Sequence, residues 1–190
     1  MPTLYLYDSV TLQHFAVAGA LPLLSQVHRG AGEPRWSEQV RREVEDGARL
    51  LMSHDQCQAV LDFPWLGDAV EGDVVETLRL RARLDGGDAT DKHLGEAESI
   101  VIAQATGAVF VTDDGPAYDF AAHRSNLGPG RVQDACDVLW TAASAGLVDE
   151  RSMARFHLDV FDAQRTMRCR CRLWPGGDSL DDRLRALRRR

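Results

Sequence analysis

Leu94-Gly95-Glu96-Ala97-Glu98-Ser99-Ile100-Val101-Ile102-Ala103, followed after Gly107 by Ala108-Val109-Phe110-Val111-Thr112 and then Asp113-Asp114-Gly115-Pro116, is the stretch whose reading decides the fold. Its first part predicts a helix from Leu94 to about Ala105, its second a short buried strand, and its third a turn that carries two acids. A helix that feeds such a strand runs back along it. At ~1.5 Å per residue the helix is ~18 Å long, against ~16 Å for a five-residue strand at ~3.3 Å per residue. The first turns of the helix, with Glu96 and Glu98, therefore belong over the carboxyl end of the strand, where Asp113 and Asp114 follow.

The same pattern opens the chain. Leu4-Tyr5-Leu6-Tyr7 reads as a buried strand that ends at Asp8-Ser9, either of which can cap the helix after it. Helical segments follow across roughly 10 to 28, Gly30-Ala31-Gly32-Glu33-Pro34 reads as a loop, and Ser37 caps an amphipathic helix to about Leu50, with Val40, Val44 and Ala48 on one stripe. Residues 54 to 85 read as two helices broken at Phe63-Pro64 and Gly67. Further helices are expected over Ala117 to His123, from about Val132 to Ala145, and from Glu150. Strands alternating with helices predict an α/β domain with helices on both faces of a short central parallel sheet, and such sheets hold ligands at the carboxyl ends of their strands. Asp8 and the Asp113-Asp114 pair then share one edge with the start of the Glu96/Glu98 helix.

A chain of 190 residues with 44% hydrophobic content can form one domain with its own core. The expected division is a body over 1–165 and an Arg-rich tail over 166–190, read as disordered or partner-docking, with Leu180, Leu184 and Leu187 at helical spacing. Cys57, Cys136, Cys169 and Cys171 match no zinc spacing and read as reduced thiols. Neither a leader pattern nor a run apolar enough to cross a bilayer is present, so a cytoplasmic protein is expected. A net charge of -7 argues against a plain DNA-binding module. It argues less against a nuclease, which meets phosphate through cations and needs only a local basic rim, here Arg79, Arg81, Arg83, Arg124 and Arg131.

Crowded carboxylates repel one another unless a cation is present. Mg2+ or Mn2+ suits such a cluster, because these ions take oxygen ligands and keep waters, one of which can be activated against a phosphodiester. Each acid also has an ordinary reading. Asp8 can cap a helix, Glu96 and Glu98 can sit in a first turn for the helix dipole, and Asp113-Asp114-Gly115-Pro116 can be a simple turn. Glu43 stands among Glu38, Arg41, Arg42 and Glu45, as on a solvated face. Residues two apart lie on nearly opposite helix faces, so only one of Glu96 and Glu98 can point into a site. His14, His54, His93 and His123 share no ligand spacing and read as surface or core residues.

Asp8-Ser9 after the first strand, Val40-Arg41-Arg42-Glu43 on an early helix, the Leu94 to Ala103 stretch, and Val109-Phe110-Val111-Thr112-Asp113-Asp114 resemble the four acidic motifs of PIN-domain nucleases, in order, over about residues 3 to 150. The Gly-Glu-Ala-Glu stretch is similar to the branch that includes ribonuclease toxins of bacterial toxin-antitoxin pairs. The resemblance implies a PIN-like three-layer α/β/α fold, Mg- or Mn-dependent cleavage of RNA, a homodimer and a partner antitoxin. It matches Asp8, Glu43, Glu98 and Asp114 to the four acids, with Glu96 as rival for the third, and Thr112 to the hydroxyl residue before the fourth. Asp8, Glu98 and Asp114 would hold the metal and Glu43 would assist. Gly115-Pro116 replaces a further acid, which leaves Asp113 or Asp119 as reserve ligand. The rival readings are a catalytically silent scaffold that binds RNA or protein, and a phosphotransferase with Asp8 as nucleophile. Val10 and the lone Lys92 disfavour the second.

Overall fold

Leu6 and Tyr7, adjacent in the first strand and both fully buried, belong to two different apolar clusters, and that alternation sets the layers. The computed structural model describes residues 2–29, 32–84, 93–128 and 130–168. Strands β1 (Thr3–Tyr7), β2 (Gly32–Arg35), β3 (Val109–Val111) and β4 (Val132–Gln133) form one sheet in the order β2-β1-β3-β4, every neighbouring pair parallel. Around it lie α1 (Ser9–Val17), α2 (Leu21–Val27), α3 (Glu38–Gly47), α4 (His54–Leu61), α5 (Val74–Leu84), α6 (Leu94–Thr106), α7 (Gly115–His123), α8 (Ala135–Ser144) and α9 (Glu150–Asp162).

Tyr7, Val109 and Val111 share one cluster with Phe15 of α1, Leu24 of α2, Val40 of α3, Leu139 of α8 and Phe156 of α9. Leu6 and Phe110 point the other way, into Leu80 of α5, Ile100 of α6 and Phe120 of α7. A parallel sheet buried on both faces gives strands that read as apolar runs, as β1 and β3 do. The fold is α/β, an all-parallel sheet with helices on both sides.

Two expectations are corrected. The loop expected at Gly30 to Pro34 contains strand β2, and the helix expected from Val132 starts at Ala135, because Val132–Gln133 pairs with β3. In β2, glycine and proline mask the strand locally. Pro34 is tolerated at the sheet edge. A Cβ on Gly32 would stand 2.6 Å from the Tyr5 ring, so the close pairing with β1 needs glycine there. Asp134 caps α8 in a reciprocal pair with Asp137, which fixes the helix start two residues after the strand.

Cys57 is a free, buried thiol, whereas Cys136 is disulfide-bonded, unlike the four reduced thiols expected. Among the described residues no single helix is long and apolar enough to cross a membrane. Of the expected tail, Met167 is buried, and Arg168 lies over the Tyr118 ring and bonds Asp134 at 3.1 Å. The remainder, including the leucines at 180, 184 and 187, lies outside the described residues.

Candidate functional site

The carboxyl edge of the sheet begins at Asp8, directly after β1. Its backbone N–H donates to the Val111 carbonyl at 3.1 Å, continuing the pairing of β1 with β3 by one residue. Its side chain caps α1: Oδ1 accepts from the Thr11 N–H at 2.7 Å, and Oδ2 accepts from the Thr112 hydroxyl at 2.5 Å. The Thr112 hydroxyl in turn accepts from the Asp114 N–H at 3.0 Å. Asp114 caps α7 through the Ala117 N–H at 2.7 Å. The ordinary capping roles are therefore real for both aspartates. They also tie the Asp8 carboxyl and the Asp114 backbone N–H to one hydroxyl group.

Glu43 reaches the same edge from α3. Its Oε2 accepts from the Ser9 hydroxyl at 2.9 Å and its Oε1 from the Gly95 N–H at 3.1 Å, so one carboxylate ties the starts of α1 and α6. A Cβ on residue 95 would sit 2.6 Å from that Oε1, and glycine is what lets α6 come this close. Glu43 is thus part of the cluster rather than of the solvated face beside it, where Arg41 and Arg42 pair with Glu38.

Helix α6 decides between its two glutamates. Glu98 faces α3, its Oε2 accepting from the Gln39 N–H at 2.7 Å and its Oε1 from the Gly72 N–H at 3.2 Å. It satisfies a free amide in the first turn of α3 and anchors the chain before α5. Glu96 occupies the place at the sheet edge that the motif match gave to Glu98. It is buried, and the charges of Glu43, Asp8 and Asp114 act on it. Both faces of α6 are buried, with Ile100 and Ile102 in the core, so helical periodicity gave no sign of which glutamate turns to the edge.

His93, read from sequence as a surface or core residue, belongs to the edge. It precedes α6 in a left-handed conformation (φ 57°, ψ 21°), and its Nδ1 lies 4.0 Å from a Glu96 carboxylate oxygen. One ligand atom from each of His93, Glu96 and Asp114 lies within 4.8 Å of the others. No spacing rule could have found His93, because a left-handed residue outside the helix does not follow the helical period.

Asp113 turns into the body instead. Its Oδ2 lies 2.7 Å from His14 Nδ1, its Oδ1 accepts from the Ala135 N–H at 3.2 Å, and its own N–H donates to the Thr11 hydroxyl at 2.8 Å. It joins α1, β3 and α8. Asp119 lies 3.5 Å from Arg168. Of the expected basic rim, Arg131 clamps the carbonyls of Ala108 and Ala103, Arg79 pairs with Glu76, and Arg83 lies over the Phe120 ring.

Crowding and burial act together on the acids. Asp8 is pushed up to about 6 by burial, aided by the Asp113 charge and opposed by its bonds to Thr11 and Thr112. Burial also raises Glu43 against its bonds from Ser9 and Gly95. Glu96 is pushed up to about 8, by burial first and then by Glu43, Asp8 and Asp114. Among the described residues, no other residue donates a hydrogen bond to the Glu96 carboxyl, and the His93 ring lies 4.0 Å from it. Two carboxyls and an imidazole, those of Glu96, Asp114 and His93, with Asp8 and Glu43 beside them, fit a divalent metal ion.

Comparison with protein-family models, with characterised proteins and with solved structures finds no match to this chain.

Proposed function

We propose that the protein is a PIN-like nuclease that hydrolyses RNA phosphodiester bonds with Mg2+ or Mn2+ as cofactor, in the manner of the toxin of a toxin-antitoxin pair, with a homodimer and a partner antitoxin as its assembly. The observation that carries this reading is the convergence of Asp8, Glu43, Glu96 and Asp114 on one sheet edge from four separate segments. Helix caps account for two of these acids singly. They do not account for Glu96, a buried glutamate with three acids around it and no hydrogen-bond donor from another described residue.

Asp8, Glu96 and Asp114 would hold the metal, which when bound supplies an activated water and neutralises charge on the leaving oxygen. Thr112 fixes the rotamer of Asp8 and the position of Asp114 through its hydroxyl. Glu43, held by Ser9 and Gly95, keeps a carboxyl beside the metal ligands, from which it would orient a water. Asp114 and His93 are only partly buried, on the side from which a phosphate would approach.

Purified protein incubated with mixed RNA, with Mn2+ or with a chelator, tests the reading. Cleavage is expected with Mn2+ and is lost in Asp8→Asn and Asp114→Asn. Cleavage that survives both substitutions overturns the carboxylate mechanism.

A further inference from the structure

The three groups that meet most closely at the edge are not all carboxylates. His93, Glu96 and Asp114 each offer one atom within 4.8 Å of the others, from the start of α6 and from the turn between β3 and α7. Ligands on opposite sides of an ion with bonds of ~2.1 Å stand ~4.2 Å apart, so closure on an ion needs movements of roughly an ångström or less. Glu96 is aimed into this triad with its side chain only 10% exposed, and His93 closes it from the rim with 24% exposed.

The backbone at His93 is unusual in a way that bears on its role. The residue before a helix is ordinarily extended and is Ser, Thr, Asp, Asn or Gly, whose side chain or flexibility serves the free amides. His93 holds φ 57° there and makes no side-chain cap bond. A left-handed non-glycine residue is strained and persists where its surroundings require it. Here the conformation brings the imidazole toward Glu96 rather than toward the helix amides.

We propose that His93 is a nitrogen ligand of the edge metal, and that the mixed triad of His93, Glu96 and Asp114 makes the site select first-row transition ions over Mg2+. The inference rests on reading the carboxyl edge as a metal site. Imidazole nitrogen binds transition ions well, whereas Mg2+ favours oxygen ligands and retained water. A site of carboxylates alone would discriminate less between the two. Mn2+, the weakest binder of the first-row series, is the most demanding probe of the preference.

The test uses full-length protein without a histidine tag and reads metal binding directly. Electron spin echo modulation of bound Mn2+ is expected to show coupling to an imidazole 14N in the wild type. His93→Asn keeps a residue that tolerates the left-handed conformation and replaces the nitrogen donor by oxygen. In that variant the coupling disappears, Mn2+ affinity by calorimetry falls about tenfold, and Mg2+ affinity changes less than about twofold. Mn2+ bound to the wild type without nitrogen coupling overturns the assignment without needing any variant. An unchanged Mn2+ to Mg2+ affinity ratio in His93→Asn overturns the selectivity. Nitrogen-coupled Mn2+ in a protein that leaves RNA intact supports the ligand assignment and overturns the nuclease instead.

Discussion

Replacing Glu96 by glutamine should stabilise the metal-free protein near neutral pH, contrary to the usual effect of altering a buried residue. Burial and the neighbouring acids move this carboxyl from an ordinary 4.5 to about 8. Between those values the folded chain retains a proton that the unfolded chain has released, so stability falls as pH rises. The contribution is fully present below 4.5 and is lost as pH rises through about 8. For this one group the loss amounts to ~1 kcal/mol at pH 5 and ~3 kcal/mol at pH 7. Glutamine has no proton to lose, and its amide can donate to the surrounding carboxylates. Glu96→Gln should therefore exceed the wild type by ~3 kcal/mol at pH 7, a rise in Tm of ~6–12 °C for a domain of this size, and by only ~1 kcal/mol at pH 5. Thermal and urea unfolding in EDTA at the two pH values measures the difference. Adding Mn2+ should reverse the order at pH 7, because an ion that binds only the folded wild type stabilises it by mass action. A variant less stable than the wild type at both pH values, or a gap that does not change with pH, would refute the reasoning from burial and crowding.

Glu98→Gln should retain the wild-type metal response, because its carboxyl serves the Gln39 and Gly72 amides. Glu98→Ala should cost ~1–3 kcal/mol in urea unfolding by orphaning them. Asp8→Asn keeps an oxygen for the Thr11 amide and should abolish the rise in Tm with Mn2+, measured in parallel melts. Gly95→Ala places a methyl against Glu43 and should cost ~1–3 kcal/mol and weaken Mn2+ binding by calorimetry, whereas alanine at Gly115, which meets nothing within 4 Å, should leave Mn2+ affinity unchanged. Asp113→Ala should leave the buried His14 without its partner and cost ~1–3 kcal/mol, read by urea unfolding at pH 7.

Much of the architecture was legible because its signals are local. The apolar runs at Leu4 to Tyr7 and Ala108 to Val111, the helix between them and the acids that close each run require only the periods of helix and strand and the length match between a helix and the strand it feeds. Those rules placed Asp8 and Asp114 at one edge. Strand β2 was hidden because pairing with β1 prevails over the poor strand propensity of Gly32 and Pro34. Strand β4 was hidden because two residues carry no period of their own.

By itself the sequence determined the α/β class, the order of the principal elements, the two capping aspartates and the crowding of acids around the Leu94 helix, all consequences of spacing along the chain. Only the tertiary structure decided which acids meet. The rotation of α6 about its axis is set by contacts with α3 and the sheet, and it sends Glu96 to the edge and Glu98 to the amides of Gln39 and Gly72. The approach of α3, possible because residue 95 has no side chain, moves Glu43 from an apparent surface row into the cluster. The left-handed turn at His93 brings an imidazole to a place that no helical or strand period could indicate.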